Sequence, residues 1–242
     1  MYLKTQVVNR RVAWEFGEGA TMNLRWLLIT AFLCPISTAL WAQTNKPLAS
    51  KADGWIDILP DVSFQGWTRV AIPPDKALNP VSQWKLEKAH RTIICEGDRG
   101  HEWLRYDREL GDLILHVEWR FTQREGLKGY NSGVFVRNSA DGRIWLQAQV
   151  GAGNDGYLFG QTLVDGKLTD IKFSPKPKVD RIKPPGEWNT YEVRCQGAKV
   201  TLSVNGEVSS EFEIPEVPKG YLGLEAEGFR IEFRNLRIKL LP

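Results

Sequence analysis

From Asp112 to Gly160 the chain alternates between apolar and polar residues in three runs separated by Gly, Asn and Asp. A period of two sends successive side chains to opposite faces of a strand, so the runs predict antiparallel strands with one buried face. In the first run Leu113, Leu115, Val117, Trp119 and Phe121 share the inner side, opposite Asp112, Ile114, His116, Glu118 and Arg120. In the second, Gly133 to Arg137, Val134 and Val136 point inward and Phe135 and Arg137 outward. In the third, Ile144, Leu146, Ala148 and Val150 oppose Trp145, Gln147 and Gln149. The expected product is a sheet with a polar, aromatic outer face. Such a face suits a sugar, because amides and a guanidinium hydrogen-bond hydroxyls while flat rings cover C–H surfaces. Taken singly, each of these residues fits an ordinary solvent-facing strand position equally well. An exposed Trp-x-Gln-x-Gln set together is poor design for solubility.

The rest of the chain after residue 53 carries the same rhythm. Trp55–Leu59, Phe64–Trp67, Val81–Leu86, Thr92–Cys95 and His101–Tyr106 read as opening strands. Residues 161–187 break the alternation with four prolines and five lysines and are expected to be a long loop over the sandwich. Strands resume at Thr190–Cys195 and Lys199–Val204, followed by the hairpin dipeptide Asn205-Gly206. Tyr221–Glu227 sends Leu222, Leu224 and Ala226 one way and Gly223, Glu225 and Glu227 the other. Ile231–Leu240 closes the chain, with a bulge expected at Arg234-Asn235. Short strands at about ten-residue spacing with turn signals between them predict an all-β antiparallel sandwich.

Composition adds limits rather than a function. The chain has 242 residues, a quarter of them charged, and a formal charge of +3. Met22 opens what reads as a secretory signal: Arg25, the apolar run Trp26–Ile36, then small residues with cleavage after Ala39 or Ala42. Residues 1–42 are therefore expected to be removed, residues 43–53 to be a linker, and residues 54–242 to form the domain of a secreted or periplasmic protein. Removing Lys4, Arg10, Arg11 and Arg25 with Glu15 and Glu18 lowers the charge from +3 to +1. A nearly neutral domain offers no electrostatic case for nucleic acid, and the apolar run is too short for a membrane span. Cys95 and Cys195 either pair or remain buried thiols, and His90, His101 and His116 show no metal-ligand spacing. GAGNDG at 151–156 follows a strand without opening a helix, so it is a turn and not a phosphate cradle.

Several segments in order carry a family pattern: Gly66-Trp67, GDLILHVEWRF, NSGVFVR from Asn131 to Arg137, LQAQVG, GEWNTYEV from Gly186, VNG from Val204, and LGLEAEG followed by IEFRNLRIK. Together, over residues 54 to 241, they resemble the 3-keto-disaccharide hydrolase domain family of secreted bacterial proteins. The resemblance implies a concanavalin A-like jelly roll, in agreement with the strand reading, and activity on a carbohydrate. Two positions depart from the family's pattern. Gln147 and Gln149 stand where many members have Glu-x-Gln, and Glu225 and Glu227 stand where they have Gln and His.

A ketone at C3 of a sugar acidifies the neighbouring C2–H, so a base can start expulsion of the glycosidic oxygen from C1. That chemistry asks for one base and an electrophile at the enolate oxygen, not the paired carboxylates of a conventional glycosidase. On this reading Glu225 or Glu227 is the base, each raising the other's proton affinity if they share a site. Glu118 is a further carboxylate candidate, and Arg137 is the candidate for enolate stabilisation. Asn131, Trp145, Gln147, Gln149 and Tyr157 are candidates for holding the sugar. The resemblance allows a divalent cation in place of the arginine, although no ligand cluster can be read from the sequence. The rival is a non-catalytic carbohydrate-binding module, since this fold serves lectins as readily as enzymes.

Overall fold

The computed structural model describes residues 53–153, 155–171, 179–214 and 216–242; the expected signal segment and nearly all of the linker lie outside these. The described residues form fifteen strands and no helix: β1 Trp55–Asp57, β2 Trp67–Ala71, β3 Trp84–Glu87, β4 Thr92–Cys95, β5 Glu102–Tyr106, β6 Leu113–Phe121, β7 Asn131–Asn138, β8 Trp145–Gly151, β9 Leu158–Val164, β10 Lys167–Ile171, β11 Asn189–Gln196, β12 Lys199–Val204, β13 Glu207–Glu213, β14 Tyr221–Ala226 and β15 Ile231–Leu240. They build two antiparallel sheets. One runs β13-β12-β11-β6-β15-β4-β3 with β1 added to β15, and the other runs β10-β9-β8-β7-β14-β5-β2. This is the expected jelly-roll sandwich.

The alternation explains the layering. Leu113, Leu115, Val117, Trp119 and Phe121 of β6 are buried against Leu146, Ala148 and Val150 of β8 and Leu222, Leu224 and Ala226 of β14, within one continuous apolar core. At roughly 25 cal/mol per Å² of apolar surface removed from water, this inner layer dominates the stability. Tyr191 of β11 links the sheets, its buried hydroxyl donating to the Gln149 carbonyl at 2.6 Å.

Two expectations need correction, and one alternative left open, the pairing of the cysteines, is decided. The first run belongs to one sheet and the second and third to the other, so the polar face of β6 lies on the opposite side of the sandwich from those of β7 and β8. Within the segment expected as a long loop, β9 and β10 form a hairpin through Asp165-Gly166, both with positive φ. Asp-Gly is a strong signal for such a tight turn, and the prolines downstream obscured it. Cys95 and Cys195 are free and buried, and two strands separate β4 from β11. That separation is roughly 14 Å across the sheet, far beyond disulfide reach. Burial pushes the Cys195 thiol up to about 12.

Candidate active site

The outer face of the second sheet collects polar and aromatic groups from four neighbouring strands. Gln147 and Gln149 come from β8, Asn131 and Phe135 from β7, and Glu225 from β14, with Glu227 just past its end. His101 stands just before β5, brought opposite the end of β14 by the register that pairs Glu102 with Ala226 and Trp103 with Glu225.

These groups form a circuit of hydrogen bonds closed by one longer charge contact. Glu225 Oε1 lies 2.8 Å from His101 Nε2, and Gln147 Nε2 donates to Glu225 Oε2 at 2.9 Å. Gln147 Nε2 also meets Gln149 Oε1 at 3.2 Å, and Gln149 Nε2 donates to Asn131 Oδ1 at 2.6 Å. Asn131 Nδ2 donates to Glu227 Oε2 at 2.6 Å, and that carboxylate returns to His101 Nε2 at 3.9 Å. Two glycines make the arrangement possible. A Cβ on Gly133 would stand 2.4 Å from Gln147 Nε2, and one on Gly223 would stand 2.2 Å from the Trp103 ring.

The circuit has an inside and an outside. Glu225 is 3 % exposed with both oxygens engaged, whereas the His101 side chain is 35 % exposed. Burial pushes the Glu225 carboxyl above its ordinary value; hydrogen bonds from His101 and Gln147 oppose that rise and the Glu227 charge adds to it. Burial alone would lower the His101 imidazole, yet the hydrogen bond to Glu225 and the charges of Glu225 and Glu227 carry it above its ordinary value. Both shifts run in one direction, so the pair holds a proton more firmly than either group does in water and titrates as a unit.

Above the circuit lies a concavity lined by His101, Trp103, Phe135, Trp145, Gln147 and Glu225. Its aromatic wall continues outward: Trp145 contacts Phe159 at 5.1 Å between ring centroids, and Phe159 contacts Tyr157 at 5.6 Å. Tyr157 thus stands at the far end of the aromatic row rather than beside the carboxylates.

Two candidates do not join the site. Arg137 has φ 57° at the bulge where β7 and β14 shift register, which breaks the alternation expected for it. Its side chain is 1 % exposed, donating to the Val217 carbonyl at 2.7 Å and to Asp112 Oδ1 at 2.9 Å. Glu118 faces outward from β6 on the other sheet, accepting from Arg234 Nε at 2.7 Å and Asn235 Nδ2 at 2.9 Å. Burial would raise its carboxyl, but these two hydrogen bonds outweigh it and hold it below the ordinary range.

His101 and Trp103 stand in the site without having been among the candidates expected from the sequence. The period-two rule applied to His101–Tyr106 would have set His101, Trp103 and Arg105 on one outer face; what it could not give is the pairing of that run with β14, over a hundred residues away. That pairing also assembles a ligand cluster: the donor atoms of His101, Glu225 and Glu227 all lie within 4.8 Å of one another. An imidazole nitrogen with two carboxylate oxygens is a mixed donor set that fits a divalent transition metal.

Comparison with known proteins follows the same lines. A sequence search against functionally characterised proteins returns no match. The fold is similar to a candidate glycosyl hydrolase from Parabacteroides distasonis, 18% identical, with TM-score 0.54 over 81% of this chain and 100% of that one. It is also similar to the carbohydrate-binding module CBM66 from Bacillus subtilis, 13% identical, with TM-score 0.52 over 80% and 99% of the two chains. At these identities the likeness is one of fold. The sequence model of the 3-keto-alpha-glucoside-1,2-lyase-like domain matches residues 54–239, and the chain belongs to that carbohydrate-active family.

Proposed function

We propose that this protein cleaves glycosidic bonds of 3-keto-glycosides by removing the C2 proton and eliminating the C1 oxygen. The observation that carries the reading is the buried Glu225 hydrogen-bonded to the more exposed His101 beneath an aromatic-lined concavity. A module that only binds sugar has no use for a carboxylate kept out of water at the cost of its ionisation.

In the reaction the His101–Glu225 pair accepts the C2 proton, with His101 meeting the substrate and Glu225 holding the ring and sharing the incoming charge. The C–H electrons move onto C2–C3 and the keto oxygen becomes an enolate. Collapse of the enolate breaks the C1–O bond, and the departing oxygen takes a proton to become an alcohol. The sugar is left unsaturated between C1 and C2, and addition of water across that bond completes hydrolysis. Gln147, Gln149 and Asn131 have the amide groups to fix hydroxyls, and Trp145 offers a ring to cover a sugar face. With a divalent cation present, His101, Glu225 and Glu227 would be the residues to hold it, in place of the direct His101–Glu225 hydrogen bond. When bound, it supplies a Lewis acid for the sugar's oxygens.

The enzyme and the binding module part at two substitutions. Glu225→Gln and Glu227→Gln are measured for sugar binding and for turnover. Binding retained with turnover abolished supports the enzyme; binding with no wild-type turnover to lose supports the module, to which the partly buried aromatic row Trp145–Phe159–Tyr157 would be suited. The signal-like stretch at residues 22–42 supports reading the protein as exported, testable by N-terminal sequencing of the protein recovered outside the cytoplasm.

A further inference from the structure

The elimination needs a donor at the oxygen on C3, because negative charge gathers there as the C2 proton leaves. Arg137 is committed between Asp112 and the Val217 carbonyl and cannot supply it. Among the buried side-chain donors of the described residues, one that lines the concavity has no partner. Trp103 Nε1 is buried and makes no hydrogen bond, although buried indole N–H groups ordinarily find one.

Its position follows from the strands. Trp103 of β5 is in direct register with Glu225 of β14, and both side chains project from the outer face. The indole lies across Gly223, where the Cε3–Cζ3 edge occupies the space a side chain would need, and it meets the Phe135 ring at 5.6 Å between centroids. The opposite edge reaches the turn between β7 and β8: a Cβ on Gly142 would stand 3.1 Å from Nε1. That turn is the cover over the N–H. Its residues Ala140, Asp141 and Arg143 are exposed, and a hydrogen bond from Arg105 to the Ala140 carbonyl ties it to β5.

We infer that the Trp103 indole N–H is a catalytic donor to the C3 oxygen of the substrate, reached when the turn carrying Gly142 moves aside. The inference rests on the elimination reading of this site. The ring is held on two edges by glycines, so the donor is fixed before the substrate arrives. It belongs to the residue paired across the strands with the carboxylate that takes up the proton's charge. An N–H has no charge of its own to neutralise Glu225, so it can strengthen its bond as the ketone becomes an enolate without quenching the base.

The test reads the N–H directly. In the ¹⁵N-labelled protein the Trp103 indole signal is identified by its proximity to Gly142 protons and by its absence from Trp103→Phe. It is then followed while 3-keto-trehalose or 3-keto-lactose is added. The expected result is a downfield shift of that proton with the keto sugar, together with a fall in kcat of about 10²-fold and a nearly constant KM in Trp103→Phe. If the side-chain amides of Gln147 and Gln149 shift while the Trp103 signal stays fixed, the assignment is overturned and the reading of the site stands. Full kcat in a folded Trp103→Phe overturns it equally. If no site signal responds to any keto sugar and nothing is released, the elimination reading falls and the donor role with it. The titration needs only the wild-type fold, so it decides even if the phenylalanine variant fails to fold.

Discussion

At the scale of single residues, the chemistry turns on where a proton resides. Glu225→Gln keeps the shape and hydrogen bonds of the inner group while removing its charge. It is expected to lower turnover by about 10²- to 10⁴-fold with keto-sugar binding retained, measured by steady-state kinetics beside calorimetric binding. The pair also predicts a pH dependence for the protein in chelator. Glu225 and His101 both have folded proton affinities above their unfolded ones. The folded state therefore carries the extra protons, and stability falls as pH rises. The Glu225 contribution is complete below its unfolded value of about 4.5 and is lost as pH climbs through its raised folded value. The His101 contribution is complete below about 6.5 and is lost above it in the same way. Thermal melts should show this slope in the wild type and a flatter one in Glu225→Gln; equal slopes would contradict the assignment. Arg137 belongs to stability alone: Arg137→Met takes the guanidinium donor from the buried Val217 carbonyl contact and from the partly exposed Asp112 and is expected to cost about 2 kcal/mol in denaturant unfolding.

At the scale of elements, the site is a property of register. Gly223 in β14 is small because Trp103 of β5 lies over it. Gly223→Ala should destabilise by roughly 1–3 kcal/mol, read from the urea midpoint, since ring and strand cannot both stay in place. The outer positions of β8 and β14 were legible in the sequence because alternation is local, and so Gln147, Gln149, Glu225 and Glu227 were named correctly as sharing outer faces. Arg137 was misplaced because a bulge reverses alternation and leaves no signature in the run VFVR. Glu118 was misplaced because alternation gives a face and not the sheet that carries it. His101 was missed because its partners arrive from strands distant in sequence. The β9–β10 hairpin was hidden by the unpatterned residues after it, although Asp165-Gly166 marked its turn.

At the scale of the molecule, one sheet builds the core's outer wall and the other presents the chemistry. The first sheet's outer face is an ion-pair surface in which Arg120 pairs with Glu232 and Arg234 with Glu118, both guanidinium groups lying over Trp188. Because Cys95 and Cys195 are buried thiols two strands apart, the melting temperature should be the same with and without reductant; a drop on reduction would contradict the strand order. The most direct measurement is incubation of the purified protein with 3-keto-trehalose, 3-keto-lactose and their non-oxidised parents, following free sugar by chromatography with and without chelator. The account predicts release from the keto sugars only, and loss of that release on chelation would assign a cation to His101, Glu225 and Glu227. Release from the parents at equal rates, or from none of the four by a folded protein, would contradict it.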